Sequence, residues 1–271
     1  MRISASRINL YSVCSLKYYF RYVAKIDKPA ISIHLAYGSA VHSALEHLNL
    51  SLQKSKDGLE DVFQAFQDTW DKEIEEQKLE NNFYKYKLYW MGLNTLAKFY
   101  ENNIDYNVIG AEQRFEVPIV FPDGFTPQGE YTLYGLMDAI TKKNSDITIV
   151  DYKTSKEPYK MFKLDTSIQL AIYSYAFRQM IEQGLIDIGR KTKEDYIAYC
   201  VLLKDYDSLE GDIRIQRKKI TDIHNNRMFY VLKQFIKGIE SNIYIPNYES
   251  CDWCEYKQEC KKFDGNIKTS N

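Results

Sequence analysis

The chain has 271 residues, 45% hydrophobic and 27% charged, with a formal net charge of −1. That is enough chain for one large core or two intimate ones, and the balance is ordinary for a soluble globular protein, with no overall basicity to advertise a polyanion partner. No apolar run approaches the ~20 residues that span a bilayer, and MRISASRINLYSVC lacks the apolar core of a signal peptide. The expectation is a cytoplasmic, intracellular protein with no membrane partner, whose five cysteines act as ligands or buried thiols rather than disulfides.

In chain order, residues 4–24 read as a helix opened by Ser4 or Ser6. A second helix follows Gly38, with Val41, Leu45 and Leu48 at helical spacing. Two more, about 58–80 and 84–103, form a helical insertion, about 57–105, rich in charge and Tyr. Residues 110–122 alternate as a strand, and a turn (FPDGFTPQGE) leads to strands at about 130–143 and 147–153. A helix at about 165–183, a strand at 196–204 and a helix at about 221–240 complete the pattern. It predicts an α/β (α+β) fold, a central mixed sheet flanked by helices, in one domain over 1–271.

Charge is segregated. Residues 1–28 carry Arg2, Arg7, Lys17, Arg21, Lys25 and Lys28 against Asp27; 153–163 carry four lysines, and RIQRKK at 214–219 four more cations. Asp57, Glu60, Asp61, Asp68, Asp71, Glu73, Glu75, Glu76 and Glu80 make one helical stretch acidic. A basic stripe opposed by an acidic face suits a polyanion, although solvated helix faces account for the runs equally well. The 23 tyrosines suit half-buried packing, and exposed ones could stack on bases.

The most informative local stretch is YTLYGLMDAITKK-NS-DITIVDYKTS. With Asn144-Ser145 as a two-residue turn, Lys143 faces Asp146 and Asp138 faces Asp151 in a non-hydrogen-bonded pair, α-carbons ~4.5 Å apart. Alternation puts Lys153 on the face of Asp151. Opposed like charges destabilise a hairpin unless compensated, and a divalent cation such as Mg²⁺ or Mn²⁺ supplies that compensation. Glu112, in EQRFEVPI, is expected to be a supporting acid or an ion-pair partner on the sheet. Glu46 is placed to hold the His42 ring through an i,i+4 contact.

Cys251, Cys254 and Cys260 cluster near the end of the sequence, and Cys14 is the natural fourth ligand. Four thiolates suit structural zinc or a 4Fe–4S cluster, and spacing does not separate them. Cys200, in YIAYCVLLK, reads as a buried strand thiol.

Six short motifs then fall in one order: SASRINLYSVCSLKYYFRY, YGSAVHSALEHL, GLMDAI, VDYKTSK, QLAIYSYA and CDWCEYKQEC. Together they resemble the PD-(D/E)XK nuclease superfamily, in its RecB-like branch with an iron–sulfur cluster, which includes AddB-type nuclease domains and CRISPR-associated RecB-like exonucleases. The resemblance implies a restriction-endonuclease-like fold and a DNA exonuclease acting on single strands or free ends, in recombination, replication or CRISPR adaptation. It implies His42, Asp138, Asp151 and the Tyr152 carbonyl as metal ligands, and Lys153, Gln169 and Tyr173 as further catalytic residues. Gln169 and Tyr173, four apart, share a helix face. Cys14, Cys251, Cys254 and Cys260 would hold a 4Fe–4S cluster in a region formed by about 1–28 plus 245–265. The chain has no Gly-x-x-x-x-Gly-Lys-Ser/Thr loop, so a helicase, like a CRISPR adaptation protein, would be a separate partner. Two other functions fit the same motifs: an endonuclease on this fold, and a non-catalytic nucleic-acid-binding module.

Overall fold

The computed structural model describes residues 1–27, 32–54, 58–76, 83–103, 107–189, 191–207 and 209–265; Lys28, Asp57, Glu80 and the expected helix end at 77–80 lie outside the described residues. Six strands form one mixed sheet: β1 (Arg2–Ile3), β2 (Asn107–Pro118), β3 (Thr132–Lys143), β4 (Asp146–Ser155), β5 (Tyr196–Leu203) and β6 (Asp212–Lys219). The order is β1-β3-β4-β5-β6, with β2 also paired to β3. β2 runs antiparallel along the length of β3. β1 pairs, parallel, only with Thr132 and Leu133, and β4 pairs from Ala139 to Lys143. One edge of β3 is therefore shared by two strands, and the sheet forks between them.

The hairpin turn forms as its sequence directs. Lys143 pairs with Asp146, and Asn144 takes φ 55°, a left-handed position that Asn tolerates better than most residues.

Helices cover both faces. On one lie α1 (Ala5–Val13), α7 (Ile168–Glu182) and α8 (Asp222–Glu240), whose Ile8, Leu170, Phe177, Leu232 and Phe235 pack with Met137, Ile149 and Val201 of the sheet. On the other lie α3 (Ile33–Lys54), α4 (Leu59–Glu76) and α5 (Phe83–Asn103). Val41, Leu45, Phe66, Trp70, Leu88 and Met91 pack there with Ala139, Tyr152 and Leu202. The α4–α5 segment thus adds its apolar stripe to a sheet face. Short helices α2 (Ser15–Tyr18) and α6 (Phe162–Asp165), a π turn at Tyr19–Val23, a 3-10 turn at Tyr248–Trp253 and α9 (Lys257–Gly265) complete the described chain. Among the described residues no helix is long and apolar enough to cross a membrane.

Three expectations are corrected. The helix expected after Gly38 begins at Ile33, with Gly38 in its interior, where an added Cβ would meet Thr154 Oγ1 at 3.7 Å, an ordinary contact. The expected helix at 4–24 breaks at Cys14, whose backbone is extended (φ −160°, ψ 107°). The cation run at 214–219 is the edge strand β6, and Arg214, Arg217 and Lys218 pair with Asp212, Asp146 and Asp165 rather than forming a free stripe. Charges on an edge also deter pairing with another chain.

The contact between α4 and α5 is unusually close: a Cβ on Gly92 would lie 2.4 Å from Phe66 Cζ. Gly92→Ala gains ~1 kcal/mol of helix propensity, but displacing a buried ring costs ~1–3 kcal/mol. The variant should unfold at lower urea concentration than the wild type; an equal or higher midpoint would show that the ring yields freely.

Candidate active site

The fork between β3 and β4 builds the site. Met137 and Ile140, three residues apart, both join the α7-side core, so the two-residue alternation of β3 slips between them, where Asp138 sits. The hairpin ladder stops at Ala139↔Val150, one step short of the two acids, so the ladder expected to pair Asp138 with Asp151 ends before them. Asp138 instead turns its side chain across the fork, and its Oδ2 accepts a hydrogen bond from the Tyr152 amide at 2.7 Å. Both carboxylates are buried, Asp138 at 7% and Asp151 at 1% exposure.

His42 reaches the same point from α3. Its Nδ1 lies 3.8 Å from Asp138 Oδ2, and its ring hydrogen-bonds the Tyr152 backbone. Burial holds the imidazole below its ordinary pKa, Asp151 pulling the other way, which favours the neutral form that binds metals. Glu46, expected to steady the ring, is exposed and its charge bears on Glu112 instead.

Lys153 Nζ lies 2.6 Å from Asp151 Oδ2, an ion pair without the alignment of a hydrogen bond. It donates to Gln169 Oε1 at 3.1 Å, and Gln169 Nε2 donates to Tyr173 OH at 2.8 Å. The first turn of α7, capped by Ser167, presents Gln169 to β4, and Tyr173 follows one turn later. The six side chains singled out in the sequence, His42, Asp138, Asp151, Lys153, Gln169 and Tyr173, are thus linked into one site.

Glu112 belongs there too. On β2 it falls between the pairs Ala111↔Ala139 and Gln113↔Met137, opposite Asp138, and its φ is 45°. Burial, then Asp138 and Glu46, push its carboxyl up to about 8. Of the two roles expected for Glu112, supporting acid and ion-pair partner, its place among three carboxylates on adjacent strands fits the first.

Burial is the largest cause raising both Asp138 and Asp151, and the Lys153 ammonium opposes it in each. One cation does not satisfy so many acids. Asp151 Oδ1 is buried with no hydrogen-bond partner, and a buried carboxylate oxygen left bare is costly. Among the described residues no three His, Cys, Asp or Glu are gathered tightly enough to hold an ion as they stand. The donor set of two carboxylates, an imidazole and a backbone carbonyl, with one orphaned oxygen, nevertheless fits a hard divalent cation.

At the far end of the fold, Cys14, Cys251, Cys254 and Cys260 line one small pocket with Leu16 and Phe20. All five cysteines are free thiols. Protein contacts already join the two segments: Ser15 Oγ and the Leu16 amide donate to the Ile245 carbonyl, Asn247 Nδ2 donates to the Val13 carbonyl at 2.8 Å, and Lys17 pairs with Glu255. Cys200 is buried, as expected, and burial pushes its thiol up to about 12, so it is inert.

Comparison with known proteins adds the following. A sequence model described as the PD-(D/E)XK nuclease superfamily matches residues 2–261. No curated protein matches. A solved structure described as a "Putative exonuclease" from Eubacterium rectale is 16% identical with a TM-score of 0.55, over 94% of this chain and 87% of that one. Another, described as SSO0001, is 12% identical with a TM-score of 0.45, over 96% and 86%.

Proposed function

The chain belongs to the PD-(D/E)XK nuclease superfamily, and from that premise we propose that it is a divalent-metal-dependent DNA exonuclease of the RecB-like branch, acting on single strands or free ends. The observation that carries this reading is the fork, where His42, Asp138, Asp151 and Lys153 meet around a buried, unpartnered carboxylate oxygen.

His42, Asp138, Asp151 and the Tyr152 carbonyl would hold Mg²⁺ or Mn²⁺, which when bound polarises a phosphoryl oxygen and neutralises charge developing on it. Asp151 and Gln169 hold the Lys153 ammonium at one point, where it orients the attacking water or offsets charge on the phosphate. Tyr173 fixes the Gln169 amide so that its oxygen faces the lysine. Burial of the two aspartates keeps bulk water from screening these charges.

The four cysteines would hold a 4Fe–4S cluster, zinc being the alternative for the same thiolates. Their joint lining of one pocket supports a bound group there, and its role is architectural, fastening the segments on either side. Iron and sulfide analysis of anaerobically purified protein, with its visible absorption, decides between the two.

The deciding experiment for activity is incubation with Mn²⁺ of linear end-labelled single strands, linear duplex and closed circles. Progressive release from linear ends with circles left intact is the expected result. Discrete internal cuts in circles would make the protein an endonuclease, and no cleavage with any divalent ion would leave a binding module. A helicase or CRISPR adaptation partner belongs to the same proposal, and copurification would test it.

A further inference from the structure

Beside the fork lies a second group of aromatic and cationic side chains that the chemistry above does not use. His34 stands on the first turn of α3, eight residues before His42, hence ~12 Å along the helix. Its Nε2 is 3.2 Å from Tyr84 OH on α5, the two rings meeting edge to face at 5.6 Å. Tyr84 in turn stacks on Tyr206, with centroids 5.4 Å apart and planes inclined by 20°. Two ammoniums flank this stack. Lys156, three residues beyond Lys153, lies 5.0 Å over the Tyr206 ring. Lys204 lies 5.7 Å over Tyr37, and its amide donates to the Ser155 carbonyl at 2.8 Å, which ties it to the end of β4.

We propose that this group is a docking platform for single-stranded nucleic acid: Lys156 and Lys204 take the phosphates, and His34, with Phe83 beside Tyr84 on α5, offers faces on which unpaired bases stack. This rests on the nuclease reading of the adjoining site and adds the residues that would receive an unpaired strand and deliver it there. Alternating cations and aromatic faces are the chemistry that binds unpaired strands without reading sequence, and a duplex, with its bases already stacked on one another, cannot use the rings.

Exposure and charge support it. Phe83 is 75% exposed, with Lys87 Nζ 5.2 Å over its ring, and His34 and Lys156 are exposed. Lys204 and Lys156 both act to keep His34 neutral, and after burial Lys156 is the named cause lowering Lys204. Two ammoniums close enough to repel gain from a polyanion between them.

The test reads binding in EDTA, by fluorescence anisotropy of a labelled oligo-dT and of a labelled hairpin duplex, so it is decided whether or not the wild type cleaves anything. The double variant Phe83→Ala/Lys156→Ala, at two exposed positions, should bind oligo-dT at least 10-fold more weakly while its duplex affinity changes less than twofold. Photo-cross-linking of a 5-iodouracil oligonucleotide to the wild type should place adducts on His34, Phe83 or Tyr84. Equal losses for both probes, unchanged oligo-dT binding, or cross-links confined to other surfaces would each overturn the platform. No oligonucleotide binding by the wild type would overturn it too and give the aromatic ridge to a protein partner.

Discussion

Lys153→Ala lowers Mn²⁺-dependent cleavage of a single-stranded oligonucleotide by about 10²–10³-fold, the cost of one missing charge-stabilising donor, ~2.7–4 kcal/mol. The ammonium is held by Asp151 at 2.6 Å and Gln169 at 3.1 Å, so it is set in place before substrate arrives. Asp151→Asn should remove cleavage to the limit of detection, because it takes away a proposed metal ligand as well as the partner of Lys153. The pair is informative in its difference: Mn²⁺ binding, followed by electron paramagnetic resonance, should survive in Lys153→Ala and fall in Asp151→Asn. Circular dichroism matching the wild type would show that both variants fold. Wild-type rates in Lys153→Ala would remove the lysine from the chemistry.

The residues that meet at the fork were legible as candidates because they are residue types that a buried sheet otherwise avoids. Asp151 follows the apolar run ITIV, which implies burial, where an unpaired charge is costly. The hairpin register was legible for a simpler reason: a two-residue turn fixes it, and Asn144 supplies the left-handed position. What the hairpin could not reveal was its own termination. The ladder stops before Asp138, and the same edge of β3 is taken up again only at Thr132 and Leu133, by β1, a two-residue strand some 130 positions away whose pairing leaves no local pattern. For Glu112 the sequence left two roles open, since its place beside Asp138 depends on an inter-strand register and a positive φ rather than on its neighbours. RIQRKK reads as a basic run because an edge strand exposes most of its side chains; only Ile213 and Ile215 hint at alternation. Gly38 misled the helix start because a glycine inside a helix looks, in sequence, like one at a boundary.

Without divalent ions, the protein should lose stability as pH rises from 6.5 to 8, and Mg²⁺ or Mn²⁺ should restore it, with the gain larger at pH 8. Burial raises Asp138, Asp151 and Glu112 above their ordinary values, Glu112 from 4.5 to about 8. Between those limits the folded chain binds more protons than the unfolded one, so stability is fully present below the unfolded value and is lost as pH climbs through the folded one. His34, His42 and His224, all held low by burial, have the opposite sign, and because an unfolded imidazole is half protonated at its ordinary 6.5 each still gains about 0.4 kcal/mol across this window, most of it below pH 7.2. Lys153, raised from 10.5, acts only at higher pH. Glu112 therefore dominates the upper part of the window. Discounted for solvent screening at a half-buried site, its share is on the order of 1–2 kcal/mol, or ~3–6 °C in Tm for a chain of this size. Glu112→Gln removes the ionisable group, so it should raise the metal-free Tm at pH 8 and flatten the decline from 6.5. A bound cation stabilises the charged carboxylates and releases their protons, which is why its benefit grows with pH. Thermal scans at pH 6.5, 7.2 and 8.0, with EDTA or Mg²⁺, read all three effects. The histidine contribution is common to both proteins, so the same slope in Glu112→Gln as in the wild type would show that the three acids are not held together at the fork.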